Sequence, residues 1–281
     1  MRHARVRSFL WSFLLLGLTS CGGAEGPGTT EPDPPRAVSI TVAQTSVTLS
    51  FIGATTALNA SVRDQNGQLF AGTISWLSSD PTVVTVDAAG LLGAVQDGTA
   101  TVTASSGSLS ATVAVTVQQV ATQLAIVSGD QQSSPVGQAL PEDPVVRAED
   151  AGGATVAGVS LAFAVSSGGG AVGSATVVTD AEGLASTSWT LGTTAGGQQV
   201  DVSIAGSPFP PIQLSATGIA AAASALAKAS GDLQVGPLSL ALSDPVVVQL
   251  QDEFGNGVPA AEVTFLVTGG GGSVSPAVAT T

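Results

Sequence analysis

From Trp76 to Ala104 the chain reads W-L-S-S-D-P-T-V-V-T-V-D-A-A-G-L-L-G-A-V-Q-D-G-T-A-T-V-T-A. Val83, Val84 and Val86 are β-branched and sit between two turn signals, Ser79-Asp80-Pro81 and Asp87-Ala88-Ala89-Gly90. Asp97-Gly98 then opens a run in which Ala100, Val102 and Ala104 alternate with Thr99, Thr101 and Thr103, the pattern of a half-buried strand. The same grammar continues through the chain. Long Leu/Glu/Lys/Arg periodic segments are absent, and 35 glycines interrupt the sequence, so the expectation is all-β with many turns. An apolar fraction of 44% excludes a disordered composition. At 281 residues, two or three domains are expected.

Residues 37–118 form the first expected domain. Val38, Ile40 and Val42 alternate with Ser39 and Thr41, and Val47 and Leu49 follow. Leu58, Ala60 and Val62 make the next inward row, which closes on Asp64-Gln65-Asn66-Gly67. Ile74 and Trp76, the stretch above, and Leu109 to Val117 complete about seven short strands, the number and spacing of a β-sandwich. The motif W-x-S-S-D-P-T-V-V-T-V-D-x-x-G-x-L-G-A-V-x-D-G-T-A-T-V-T-A resembles the group 2 family of bacterial immunoglobulin-like domains over Val38 to Val117. The resemblance gives Trp76 the place of the core tryptophan. No disulfide is available, so packing around Trp76 must join the sheets. Asp64, Asp80, Asp87 and Asp97 each lie in a turn signature, which accounts for them without a calcium ion.

The rest of the chain repeats. Leu124-Ala-x-x-Ser-Gly-Asp130 returns as Leu226-Ala-x-x-Ser-Gly-Asp232, and Asp143-Pro-Val-Val146 as Asp244-Pro-Val-Val247. Asp150, Val159, Phe163 and Gly169 match Asp252, Ala261, Phe265 and Gly271. The offset is 102, with 101 across the Asp-Pro pair. Residues 119–218 are therefore expected to form one domain and 219–281 a second, partial copy. The pattern D-x-x-G-x-x-V-x-x-x-x-x-x-F-x-V-x-x-G-G-G resembles the group 1 family of bacterial immunoglobulin-like domains, found in invasin- and intimin-type surface rods. Phe163, Trp189 and Phe265 are its expected core aromatics. Thr281 corresponds to Thr179, so the counterpart of Asp180 to Gly218 is missing and the chain reads as a fragment or truncation. The remaining strands would then expose an apolar face and unpaired edges.

The amino terminus carries an address. Residues 1–20 read as a secretory signal: Arg2, Arg5 and Arg7 precede an apolar run from Phe9 to Leu18, too short to span a membrane. Leu18-Thr19-Ser20-Cys21 resembles the lipobox of bacterial lipoproteins, which implies acylation of Cys21 and cleavage before it. Two or more acyl chains give stable anchoring, where one is marginal. Residues 21–36 are rich in Gly and Pro and form a flexible tether; the fifteen from Gly22 to Arg36 reach at most ~50 Å, at ~3.3–3.6 Å per residue. The resemblance to lipoprotein sorting signals implies, from Gly22 in place of aspartate, the outer membrane over the inner one, with the chain periplasmic or surface-exposed.

What the chain lacks narrows its function. The single histidine is His3, the single cysteine is Cys21, and there is no tyrosine. Ser-His triads, cysteine nucleophiles and His-based metal sites are thus excluded, and no enzyme activity or cofactor is expected. After the leader, four cations (Arg36, Arg63, Arg147, Lys228) face 20 carboxylates, a net charge of −16. That leaves no patch for nucleic acid or anionic lipid headgroups. The glycine runs 168–170 and 269–272 lack the Lys-Ser/Thr ending of a phosphate loop. The pairs Glu149-Asp150 and Asp252-Glu253 are adjacent, so their side chains diverge instead of facing across a cleft. The expected function is a non-enzymatic surface stalk or adhesion module, bound to the membrane through Cys21, with an envelope protein, a host or matrix protein or a glycan as partner. Few aromatics weigh against direct glycan binding. The alternative is the stem of a larger protein whose working part, an enzyme or a carbohydrate-binding unit, lies beyond residue 281.

Overall fold

The computed structural model describes residues 32–281. The expected signal sequence, Cys21 and the tether as far as Glu31 lie outside the described residues. Among the described residues every regular element is a β-strand.

The first set comprises β1 (Ala37–Val42), β2 (Ser46–Leu49), β3 (Thr55–Ala57), β4 (Ala60–Asp64), β5 (Ser75–Ser78), β6 (Val84–Val86), β7 (Leu91–Ala94), β8 (Gly98–Ser106) and β9 (Leu109–Val117). One sheet has the order β2-β9-β8-β5, with β2 parallel to β9. Opposite it lie the ladder β3-β7-β6 and the pair β1-β4. Alternation fixes the register. Ala100, Val102 and Ala104 of β8 and Val113, Val115 and Val117 of β9 are buried, and shifting either strand by one residue would turn those rows to solvent. The single row expected from Leu58 to Val62 is divided: β3 pairs with β7 and β4 with β1, and buried Leu58 sits at the crossing between sheets.

The second set comprises β10 (Gln123–Ser128), β11 (Gln132–Pro135), β12 (Val145–Glu149), β13 (Ser160–Ser167), β14 (Gly170–Val172), β15 (Thr176–Val178), β16 (Leu184–Ser186), β17 (Trp189–Leu191), β18 (Gly196–Ile204) and β19 (Ile212–Ile219). A five-stranded sheet, β11-β19-β18-β13-β15, packs on β10-β12-β16 with β14-β17 alongside. The core joins Leu161 and Phe163 of β13 to Trp189 and Leu191 of β17, Val200 and Val202 of β18, and Leu214 and Ala216 of β19.

The third set has β20 (Ala223–Ser230) paired with β21 (Val247–Asp252), and β22 (Glu262–Thr264) paired with β23 (Val278–Thr280). Its geometry copies the second set at a constant offset. Leu124↔Ala148 becomes Leu226↔Leu250, and the bulge at Ile126/Ser128 becomes one at Lys228/Ser230. Thr179 Oγ1 accepts the Val159 amide and donates to the Val156 carbonyl; Thr281 Oγ1 does the same with Ala261 and Val258. The offset of 101 at the Asp-Pro pair is not structural. Gln132 clamps Gly129 and Glu142, and Gln234 clamps Gly231 and Asp244, so Asp244 occupies the place of Glu142. The backbone keeps 102 throughout, and the Asp-Pro dipeptide slides by one residue along it.

Candidate functional site

The tryptophan of the first set, Trp76, is half-buried and packs on both apolar clusters of that set. It lies over Gly90 (φ +85°), where a Cβ would come within 2.9 Å of the indole ring, so the Asp87 to Gly90 turn is closed by the tryptophan. Phe163 and Trp189 are 2% and 1% exposed in the second core, whereas Phe265 is only half-buried. Trp76, Phe163 and Trp189 pack in the cores of their sets, whereas Phe265 lines an open, mostly apolar cleft with Leu242, Val274 and Ala279.

The glycine run 168–170 is closed to a phosphate. A Cβ on Gly170 would lie 2.3 Å from the Thr190 carbonyl, and one on Gly168 would strike Gln198. Gln198 is fully buried; its Oε1 accepts the Gly192 amide at 2.7 Å and its Nε2 donates to the Thr194 carbonyl at 3.1 Å. Gln198 was missed by motif reading, yet its parity with Val200 and Val202 on β18 places it on the inward face. Of the adjacent carboxylates, Glu149 pairs with Arg147 while Asp150 turns into the protein, so the two point apart. Among the described residues, no three His, Cys, Asp or Glu side chains gather to hold a metal. Two of the turn aspartates accept local amides, Asp87 those of Ala89 and Leu91 and Asp80 that of Thr82, whereas Asp97 accepts the amide of Gln119, which lies past β9.

The most elaborate polar constructions are three Asp-x-x-Gly turns in corresponding places of the three sets. Asp64 and Asp252 end β4 and β21 and Asp150 directly follows β12, and each is followed three residues later by a glycine with positive φ (Gly67, Gly153, Gly255). In all three, Oδ1 accepts the amides two and four residues ahead. The second carboxylate oxygen distinguishes them. Oδ2 of Asp150 accepts the Ile52 amide at 3.0 Å and Gln119 Nε2 at 2.9 Å, reaching into the first set of strands. Oδ2 of Asp252 accepts the Ala221 amide and Asn256 Nδ2. Asn256 then bonds the Thr193 carbonyl and the Ala195 amide of the second set. Asp150 is fully buried and Asp252 is 2% exposed. The corresponding turn in the first set meets the chain before it: Gln65 bonds Asp33, Pro34 and Arg36.

Burial opposes ionisation of Asp150, but hydrogen bonds from Gln119 and the amides of Ile52, Ala154 and Gly152 outweigh it and hold the carboxyl below its usual range. Asp252 is lowered in the same way: burial opposes, while Asn256 and the Ala221 and Phe254 amides prevail. A carboxylate with a lowered native pKa contributes stability that is complete above its unfolded value, about 3.9, and lost as pH falls through the native value. Thermal midpoints of the intact chain should therefore hold steady from neutrality down to about pH 5 and drop below about pH 4, with Asp150→Asn flattening the drop. An unchanged acid profile in Asp150→Asn would contradict this.

Residues 72–119 match the family model described as Big-like: Bacterial Ig-like domain. The matched span runs from the residues before β5 to just past β9, and includes the whole stretch from Trp76 to Ala104. No curated protein matches the chain. Among solved structures, domains 4 and 5 of the S-layer protein SbsC are 19% identical, with a TM-score of 0.31, over 66% of this chain and 99% of that one. The Yersinia pseudotuberculosis adhesin InvE is 19% identical, with a TM-score of 0.32, over 64% of this chain and 58% of that one. Yersinia pseudotuberculosis InvD is 17% identical, with a TM-score of 0.37, over 78% and 71%.

Proposed function

We propose that this chain is a non-enzymatic cell-envelope lipoprotein. Its signal sequence is removed before Cys21, acyl chains on Cys21 hold it in the membrane, and the tether carries immunoglobulin-like modules 37–118, 119–218 and 219–281 outward as a stalk or adhesion module. The observation that carries the reading is Leu18-Thr19-Ser20-Cys21, placed after a charged start and a short apolar run, with the only cysteine in the chain at the cleavage position. Absence of Asp at position 22 favours the outer membrane. Partners on the far side are an envelope protein, a host or matrix protein, or a glycan. Expression in a Gram-negative host with radiolabelled palmitate tests the anchor. The native chain should take up label and sediment with outer membranes, and Cys21→Ser should lose both properties. A Cys21→Ser chain that stays in the membrane fraction would overturn the reading.

A second reading makes these modules the stem of a larger product with its working part beyond residue 281. One observation favours it. In the third set, Leu238 is 96% exposed although its counterpart in the second set, Val136, is 1% exposed. A module completed by further strands would bury that side chain.

A further inference from the structure

We infer that successive modules are coupled by a specific joint, in which the Asp-x-x-Gly turn of one module seats on the end of the module before it, and that an aromatic-glycine pair across the joint sets the fit. At the first joint, Phe51 lies two residues past the end of β2 and faces Gly152, two residues past Asp150. A Cβ on Gly152 would fall 2.9 Å from the Phe51 ring and 2.8 Å from the Ile52 carbonyl. The backbone of Gly152 has no left-handed φ, so only the neighbouring module forbids a side chain there.

At the second joint the two residue types change sides. Gly137 lies two residues past the end of β11, the strand that corresponds to β2, because each pairs in parallel with the last strand of its set. Phe254 lies two residues past Asp252, and its ring comes within 3.3 Å of where a Gly137 Cβ would be. Gly137 matches Gly53 of the first set, since both have positive φ (+76° and +83°) and sit in a turn closed from Pro135 to Gln138 and from Phe51 to Ala54, so the ring of Phe254 enters the second joint at a different position from Phe51 in the first. One ring fills each joint, supplied from below in the first and from above in the second. Two rings would collide, and two glycines would leave a void whose lining loses its contacts. The carboxylate ties the rest: one oxygen shapes its own turn and the other holds the preceding module or linker, through Ile52 and Gln119 at the first joint and Ala221 at the second. Exposed turns of the same sequence type, at Asp87 and Asp180, use Oδ1 alone for their own amides. The surface thus fits one kind of partner, the entry turn of a following module with the complementary residue.

Exchange of the pair tests this. In the intact chain with Cys21→Ser, spin labels are placed at Ser108→Cys and Thr217→Cys, both exposed and one in each of the first two modules. The parent should give a single narrow distance distribution. Gly152→Phe and Phe51→Gly should each broaden or shift it, by collision and by void respectively. The double exchange Phe51→Gly with Gly152→Phe again supplies a single ring to the joint and should narrow the distribution relative to Gly152→Phe. Trp76 and Trp189 fluorescence checks that both modules stay folded. If Gly152→Phe unfolds its module, Phe51→Gly alone still decides. A parent with a broad distribution, a Phe51→Gly chain as narrow as the parent, or a double exchange no better than folded Gly152→Phe overturns the inference.

Discussion

Residues 220–281 expressed alone should show no cooperative thermal transition, and the intact chain carrying a second copy of residues 180–219 after Thr281 should gain one. The reason lies in what β16 to β19 do for the second module. Val200, Val202, Leu214 and Ala216 of β18 and β19 close the core over Leu161 and Phe163, and β19 gives β11 its only neighbour in the sheet. Residues 223–281 supply no such strands. The segment matching β11 forms no strand, Leu238 and Leu242 are 96% and 49% exposed where Val136 and Leu140 are 1% and 6%, and Phe265 is half-buried where Phe163 is 2% exposed. The same segment lines an open apolar cleft of about 800 Å³ with Phe265, Val274 and Ala279. Full burial of a large apolar side chain is worth about 1.5–3 kcal/mol, so one left open and two partly open forgo a large share of what a small domain has to spare. Calorimetry of the piece, the parent and the extended chain checks this. A sharp transition in residues 220–281 alone would sink it.

Trp189→Ala should destabilise the second module by about 3–5 kcal/mol, the usual cost of deleting a buried indole. Trp189 stands on β17 at 1% exposure within the core of that module. Its Nε1 is buried without a hydrogen-bond partner, a group that costs about 1–3 kcal/mol to leave unmet. Trp189→Phe removes that donor and keeps most of the ring, so it should cost less than about 2 kcal/mol. Denaturant unfolding read by circular dichroism gives both values, while Trp76 reports the first module independently. A Trp189→Ala loss below about 1 kcal/mol would show that the indole is not a core element.

Local chemistry was legible in the sequence. Alternation in Thr99 to Ala104 and Leu109 to Val117 placed β8 and β9, because a period of two leaves one face apolar. The Asp-x-x-Gly spacing marked its turns, because a side-chain oxygen and a positive-φ glycine close them without outside help. The 102-residue repeat carried the register of β10 on β12 into β20 on β21. Sequence also marked Cys21 as the one residue with the context of an acyl anchor.

Tertiary structure decided what depends on distant partners. Asp87, Asp150, Asp180 and Asp252 have the same local grammar, yet only Asp150 and Asp252 use their second oxygen outside the turn. A carboxylate becomes a joint when another module's amide or the linker arrives, and that is a matter of spatial neighbours. The row expected from Leu58 to Val62 split between two sheets for a similar reason: the backbone partners of Ala57 and Ala60 lie on different strands. Phe163 and Phe265 occupy matching positions but differ in burial, since the strands that cover the first are far along the chain from it. The contacts Phe51:Gly152 and Gly137:Phe254 join residues about a hundred positions apart, where periodicity has no reach.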